Sequence, residues 1–183
     1  VVDYSWTGYI PTLDALKFTT FIQELNGGGD ENKTPIVHTA MMEKVFNQKK
    51  RSMVLCHRGL AKTTLFAEYL FLHIAAFGYM PGFGDVNLIL YVTDSIENGV
   101  KNLRRNIEHR YSESEMMQQM VPNRKISVGS DGAGFVDVSS EDGMEEMDKQ
   151  ISSGRKFTDI RLEFKNHKGH TTIIKGYGAK TGV

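Results

Sequence analysis

The chain has 183 residues, 40% apolar and 24% charged, and its 22 basic and 22 acidic residues leave no formal net charge. This is the make-up of an ordinary globular domain with enough chain for a sizeable core, and it gives no electrostatic case for a polyanionic partner. Cys56 is the only cysteine, which excludes an intrachain disulfide and a zinc knuckle and fits a reducing, intracellular setting.

Thr12 to Leu25 is patterned as an amphipathic helix. Leu13, Leu16, Ile22 and Leu25 can share a face, and Asp14 suits the first turn. Asn26 to Lys33, which contains Gly27-Gly28-Gly29, reads as a flexible connection between an N-terminal arm, 1–33, and a domain over 34–183. Thr34 and Pro35 predict the N-cap and first position of a second helix, which carries His38, Met41, Met42, Val45 and Phe46. The basic turn Lys49-Lys50-Arg51 leads into a predicted strand, Ser52 to Leu55. A loop from Cys56 to Ala61 and a helix from Lys62 to Phe77 follow.

The run Leu65 to Tyr79, interrupted by Glu68 and His73, is too short for a bilayer, which takes about 20 apolar residues. It predicts a helix buried on most faces. No signal peptide is visible, and because the chain begins at Val1 rather than Met, further sequence ahead of it is expected.

Pro81 to Gly84 is a turn. Leu88 to Val92 is continuously apolar, as in a parallel strand covered on both faces. Asp94 or Ser95 caps a helix running to about Tyr111, and Ser112 to Gln119 is a polar helical turn. Short strands are expected at Ile126 to Val128 and Phe135 to Val138, around Gly129-Ser130-Asp131-Gly132. Glu141 to Lys149 is an acidic loop or short helix. Ile160 to Phe164 and Thr171 to Ile174 flank Asn166-His167-Lys168-Gly169 as a hairpin. The alternation predicts an α/β fold: a parallel sheet flanked by helices, with a hairpin-rich C-terminal part.

The chemistry concentrates in Leu55-Cys56-His57-Arg58-Gly59-Leu60-Ala61-Lys62-Thr63-Thr64. Strand, Gly-containing turn, Lys-Thr and helix start are the parts of a phosphate-binding loop. Backbone N–H groups of the turn and the helix dipole would face the phosphates. Lys62 would reach the β/γ-phosphates, and the Thr63 hydroxyl would hold Mg²⁺. Two glycines of the usual pattern are replaced, by Cys56 and Ala61. Ala61 fits such a loop only if its φ stays negative. Arg58 would contact the γ-phosphate or stabilise charge during hydrolysis.

His38 lies where motor ATPases carry an adenine-reading segment, and it could read an adenine edge or simply sit on a helix surface. Lys101, Arg104, Arg105, His109 and Arg110 have helical spacing. A solvated face explains them more readily than a DNA backbone does. Cys56 and His57 would point to opposite sides of a strand, so they form no nucleophile pair, and an inert, buried Cys56 is expected. The six histidines have no metal-ligand spacing. An ATPase of this type also needs an apolar strand ending in acid. The nearest candidate is Leu88 to Asp94, where Asp94 reads as a helix cap.

In order and spacing these features resemble the N-terminal ATPase region of the terminase large subunit of tailed bacteriophages, the motor that packages DNA. The resemblance rests on Cys56 to Thr64, on Leu88 to Asp94 with its following helix, and on Gly176-Tyr177-Gly178-Ala179-Lys180-Thr181-Gly182-Val183. The last is similar to the Gly-rich segment leading into the family's acidic Walker B strand. It implies a P-loop NTPase-like fold with ATP and Mg²⁺ as cofactors, a nucleotide site made of His38, Arg58, Gly59, Leu60, Ala61, Lys62, Thr63 and Thr64, and catalytic roles for Arg58 and Lys62.

It further implies coupling of ATP hydrolysis to packaging of double-stranded DNA into procapsids, with the portal protein and the small terminase subunit as partners. A homo-oligomeric ring on the portal, no membrane, and the cytoplasm of an infected bacterial host go with it. The family's Walker B strand and nuclease domain would follow Val183, so feeble hydrolysis is expected of this stretch alone. The alternatives are a helicase-like P-loop motor and a non-catalytic assembly module with a degenerate loop.

Overall fold

The computed structural model describes residues 8–28, 34–47, 51–57, 59–95, 99–128, 136–137 and 159–179. Among these residues the chain is a mixed α/β protein built around one almost fully buried helix.

Helix α1 spans Leu13–Leu25, and the Thr12 side chain caps it by accepting from the Ala15 amide at 3.4 Å. Its inward stripe is Ala15, Phe18, Phe21, Ile22 and Leu25. Leu13 and Leu16, expected on that stripe, stay exposed. The aromatic side chains at 18 and 21 take the buried face instead, because their larger apolar area gains more from burial. Helix α2 spans Ile36–Asn47. Its first bonds run from the His38 and Thr39 amides to the Pro35 carbonyl. Thr34 does not cap it: its hydroxyl is buried without a partner.

Residues 62–77 are continuously helical. A π-helix, Thr64–Tyr69, leads directly into α3, Leu70–Phe77. The widened turn is visible where the Leu70 amide reaches back to the Leu65 carbonyl. Gly78, left-handed at φ 78°, ends the helix. Strands β1 (Tyr79–Met80) and β2 (Gly84–Asp85) form a small antiparallel hairpin across the predicted turn. Then come β3 (Leu88–Thr93), α4 (Lys101–Glu113), α5 (Glu115–Met120), β4 (Asn123–Val128), β5 (Val136–Asp137), β6 (Asp159–Lys165) and β7 (Thr171–Gly178). The Ser95 carbonyl accepts from the Gly99 and Val100 amides just ahead of α4, and Ser114 caps α5.

The main sheet has the order β3-β7-β6-β4-β5. Among the described strands only β3 and β7 run parallel; the other pairs are antiparallel. The sheet is therefore mixed rather than parallel, because hairpins build its C-terminal half. The β6–β7 turn is set by Asn166. Its carboxamide oxygen accepts from the Lys168 and His170 amides at 3.0 and 2.9 Å, and its Nδ2 donates to the Ala76 carbonyl at 3.1 Å. One side chain thus closes the turn and pins it to the end of α3.

Helix 62–77 lies between two apolar layers. Phe71, Leu72 and Ala75 join Leu103, Ile107, Leu162, Phe164 and Ile174 on the sheet side. Leu65, Leu70 and Ile74 meet Phe18, Ile22, Met42 and Phe46 of α1 and α2 on the other. Every residue from Leu70 to Ala76 is buried, as the apolar run predicts.

Two expectations fail here. Residues 51–57 form no strand, and Met53 and Leu55 are largely exposed. A strand is made by pairing rather than by composition, and no described strand pairs with this segment. Strand β3 is covered on one face only. Ile89 and Tyr91 face the helices, whereas Leu88, Leu90 and Val92 are 53%, 59% and 65% exposed. All the described helices that pack on the sheet lie on the inner side of β3. Glu141 to Lys149, Gly129 to Gly132 and residues 180–183 lie outside the described residues.

Candidate phosphate-binding site

Gly59 and Ala61 both take left-handed backbone angles, φ 92° and 48°. Ala61 therefore fails the condition of negative φ on which its unstrained fit to a phosphate-binding loop depends. The turn asks for a glycine-like conformation where the usual loop carries glycine, and alanine adopts it at a cost of about 1–2 kcal/mol. The Ala61 carbonyl accepts from the Leu65 amide at 2.9 Å, closing the first helical turn. The N–H groups of the residues before Leu65 head the helix, where no intrahelical acceptor exists for them. Lys62 and Thr64 are half-buried and Thr63 is exposed. Arg58 lies outside the described residues.

His38 is part of this site, though not by facing outward. Its Nε2 donates to the Leu60 carbonyl at 2.9 Å, tying α2 to the middle of the loop. That bond places the proton on Nε2, and in the neutral ring it leaves Nδ1 an acceptor.

The loop's place in the fold follows from packing. At the C-terminal end of helix 62–77, Gly78 abuts His170, just ahead of β7. Midway, Phe71 meets Tyr91 with ring centroids 6.2 Å apart. The helix thus runs opposite to β3, and its first residues sit at the end of the sheet where Thr93 and Gly178 pair. These are the carboxyl ends of the parallel pair among the described strands, the position at which open α/β sheets hold ligands. Asp94 is exposed at this end and accepts from the Thr93 hydroxyl at 3.0 Å. Gly176 and Gly178 belong to β7 itself. A Cβ at Gly176 would collide with Val100, so this glycine lets the start of the α4 helix pack against the sheet.

Behind the loop, helix 62–77 is tied to α4 by a buried polar network. Glu68, 4% exposed, accepts from Arg110 Nε at 2.7 Å and from Asn106 Nδ2 at 2.9 Å. Arg110 also lies over the Tyr69 ring, 4.4 Å from its centroid, and donates to the Tyr69 hydroxyl and to Asn26. A second pair joins Arg124 to Glu108 at 3.4 Å, with Arg124 stacked on Tyr111. Burial pushes the Glu108 carboxyl up, against the opposing pull of Arg124 and Arg104. Of the basic residues on α4, Arg110 is thus spent on an internal carboxylate and Arg104 acts on another. Arg105 and His109 remain exposed.

Cys56 is half-exposed rather than buried, since the strand that would have covered it is absent. Among the described residues no group of three His, Cys, Asp or Glu side chains could hold a metal ion, and no helix is long and apolar enough to cross a membrane. Sequence reasoning missed the Glu68–Arg110 pair and the His38 tether. Glu68 did carry a signal, as a charge inside an apolar helical run.

Comparison with protein-family models, with curated proteins and with solved structures found no match to this chain.

Proposed function

We propose that this chain is the ATP-binding part of a viral terminase large subunit, a motor that couples ATP hydrolysis to packaging of double-stranded DNA into procapsids. The observation that carries this reading is the Gly-containing turn, left-handed at Gly59, immediately ahead of the helix that begins with Lys62-Thr63, at the carboxyl ends of β3 and β7. Such a turn aims backbone N–H groups and a helix N-terminus at one point, which suits a phosphate chain. ATP and Mg²⁺ would supply the phosphoryl bond and the charge that offsets its oxygens. On the protein side, Lys62 would neutralise the terminal phosphates and the Thr63 hydroxyl would ligate the metal. Arg58 would stabilise charge that develops on hydrolysis. His38 would keep the loop in register through Leu60. The order of the motifs along the chain supports the terminase assignment, and portal protein and DNA are the partners that assignment carries.

The test is thermal unfolding with Mg-ATP. A ligand at a hundred times its dissociation constant raises stability by about 2.7 kcal/mol. We expect that shift in the native sequence and its loss in Lys62→Ala. No shift, or an equal shift in the variant, would overturn the nucleotide site and leave an assembly module with a degenerate loop.

A further inference from the structure

A second concave site lies against the C-terminal end of helix 62–77, where α1 and Met116 of α5 approach it. It is a cleft of about 440 Å³ between α1 and α3, lined by Leu13, Leu16, Phe21, His73, Phe77 and Tyr79. That volume is in the range of small-molecule pockets, which are mostly apolar with few polar groups.

The polar group is His73. It is 3% exposed, and its Nδ1 is buried without a hydrogen-bond partner. Its neighbours are rings: Phe18 and Phe21 at 5.3 and 5.2 Å, Phe77 at 4.6 Å and Tyr79 at 6.2 Å between centroids. Burial lowers its pKa to about 4, so the imidazole is neutral at physiological pH. Nδ1 is sealed among these rings, so the other ring nitrogen, Nε2, is the one that a guest in the cleft can meet. Lys17 and Glu24 stand at the cleft with opposite charges, which favours an uncharged guest. Stacked and edge-on rings favour an aromatic one. A hydroxyl group both donates and accepts, so it satisfies either tautomer of the imidazole.

We propose that this cleft binds a small neutral aromatic alcohol, its ring against Phe21, Phe77 and Tyr79 and its hydroxyl on the His73 imidazole. The site is separate from the phosphate loop and independent of the nucleotide assignment.

The probe is 2-naphthol, titrated by its own fluorescence into the full chain, with naphthalene as the analogue lacking the hydroxyl. One hydrogen bond to a buried group predicts about tenfold tighter binding of 2-naphthol. His73→Phe should bring the two compounds level. Leu16→Glu, at a half-exposed helix position, should weaken both by about tenfold by placing a charge in the cleft. Equal affinity for the two compounds, no saturable binding of 2-naphthol, or binding indifferent to Leu16→Glu would overturn the proposal. Should His73→Phe fail to fold, the wild-type comparison and Leu16→Glu decide it alone.

Discussion

At the scale of single residues, Ala61 and His73 both occupy environments that do not suit them, and each has a measurable consequence. Ala61 holds a left-handed φ of 48°. Glycine would remove a strain of about 1–2 kcal/mol and give back about 0.5–1 kcal/mol through its freedom in the unfolded chain. Ala61→Gly should therefore stabilise the protein by about 0.5–1 kcal/mol in urea unfolding. Ala61→Val should destabilise it, because a β-branched residue tolerates positive φ least. His73 titrates near 6.5 when unfolded and near 4 in the fold, since burial disfavours its charge. As pH falls, the unfolded chain takes up this proton first. Stability is therefore intact above pH 6.5 and is lost progressively as pH falls toward 4, by about 3 kcal/mol. Unfolding measured at pH 7 and pH 4.5 should show the loss, and His73→Phe should flatten that part of the profile. The other residues of the candidate site owe their arrangement to these local conformations: Lys62 and Thr63 are placed by the helix that Ala61 opens.

At the scale of elements, the helix over 62–77 organises the molecule. The Glu68–Arg110 pair fixes it to α4, and the His38–Leu60 bond ties its leading loop to α2. Arg110→Ala would leave the Glu68 carboxylate buried with only Asn106, and breaking such a pair costs about 3 kcal/mol. Glu68→Ala combined with Arg110→Ala should cost less than the sum of the two single changes, which a double-mutant cycle in urea reads directly. This helix, the hairpin at Asn166 and the strand from Leu88 were legible in the sequence, because each carries a local pattern: an unbroken apolar run, turn chemistry between β-rich segments, and a β-branched stretch. The strand expected at Ser52 to Leu55 was not there, because pairing decides a strand and the partner is not encoded in the segment.

At the scale of the whole molecule, the described helices crowd one face of the sheet, leaving the outer side of β3 open. Leu90→Lys should then change stability by less than about 0.5 kcal/mol, while Ile89→Lys, one residue away and facing the core, should cost about 3 kcal/mol or more. Equal costs measured by urea unfolding would show that the outer face is covered too. The sequence by itself determined the helices, the hairpin, the continuous burial of 70–76 and the position of the Gly-Leu-Ala-Lys-Thr turn at a helix start, because these depend on residues near one another in the chain. Tertiary structure alone decided that the sheet is mixed, that α1 buries Phe18 and Phe21 rather than Leu13 and Leu16, that His38 holds the loop, and that Glu68 meets Arg110. Those outcomes depend on which distant segments come into contact, and burial and hydrogen bonding between them outweigh any preference that a single segment carries.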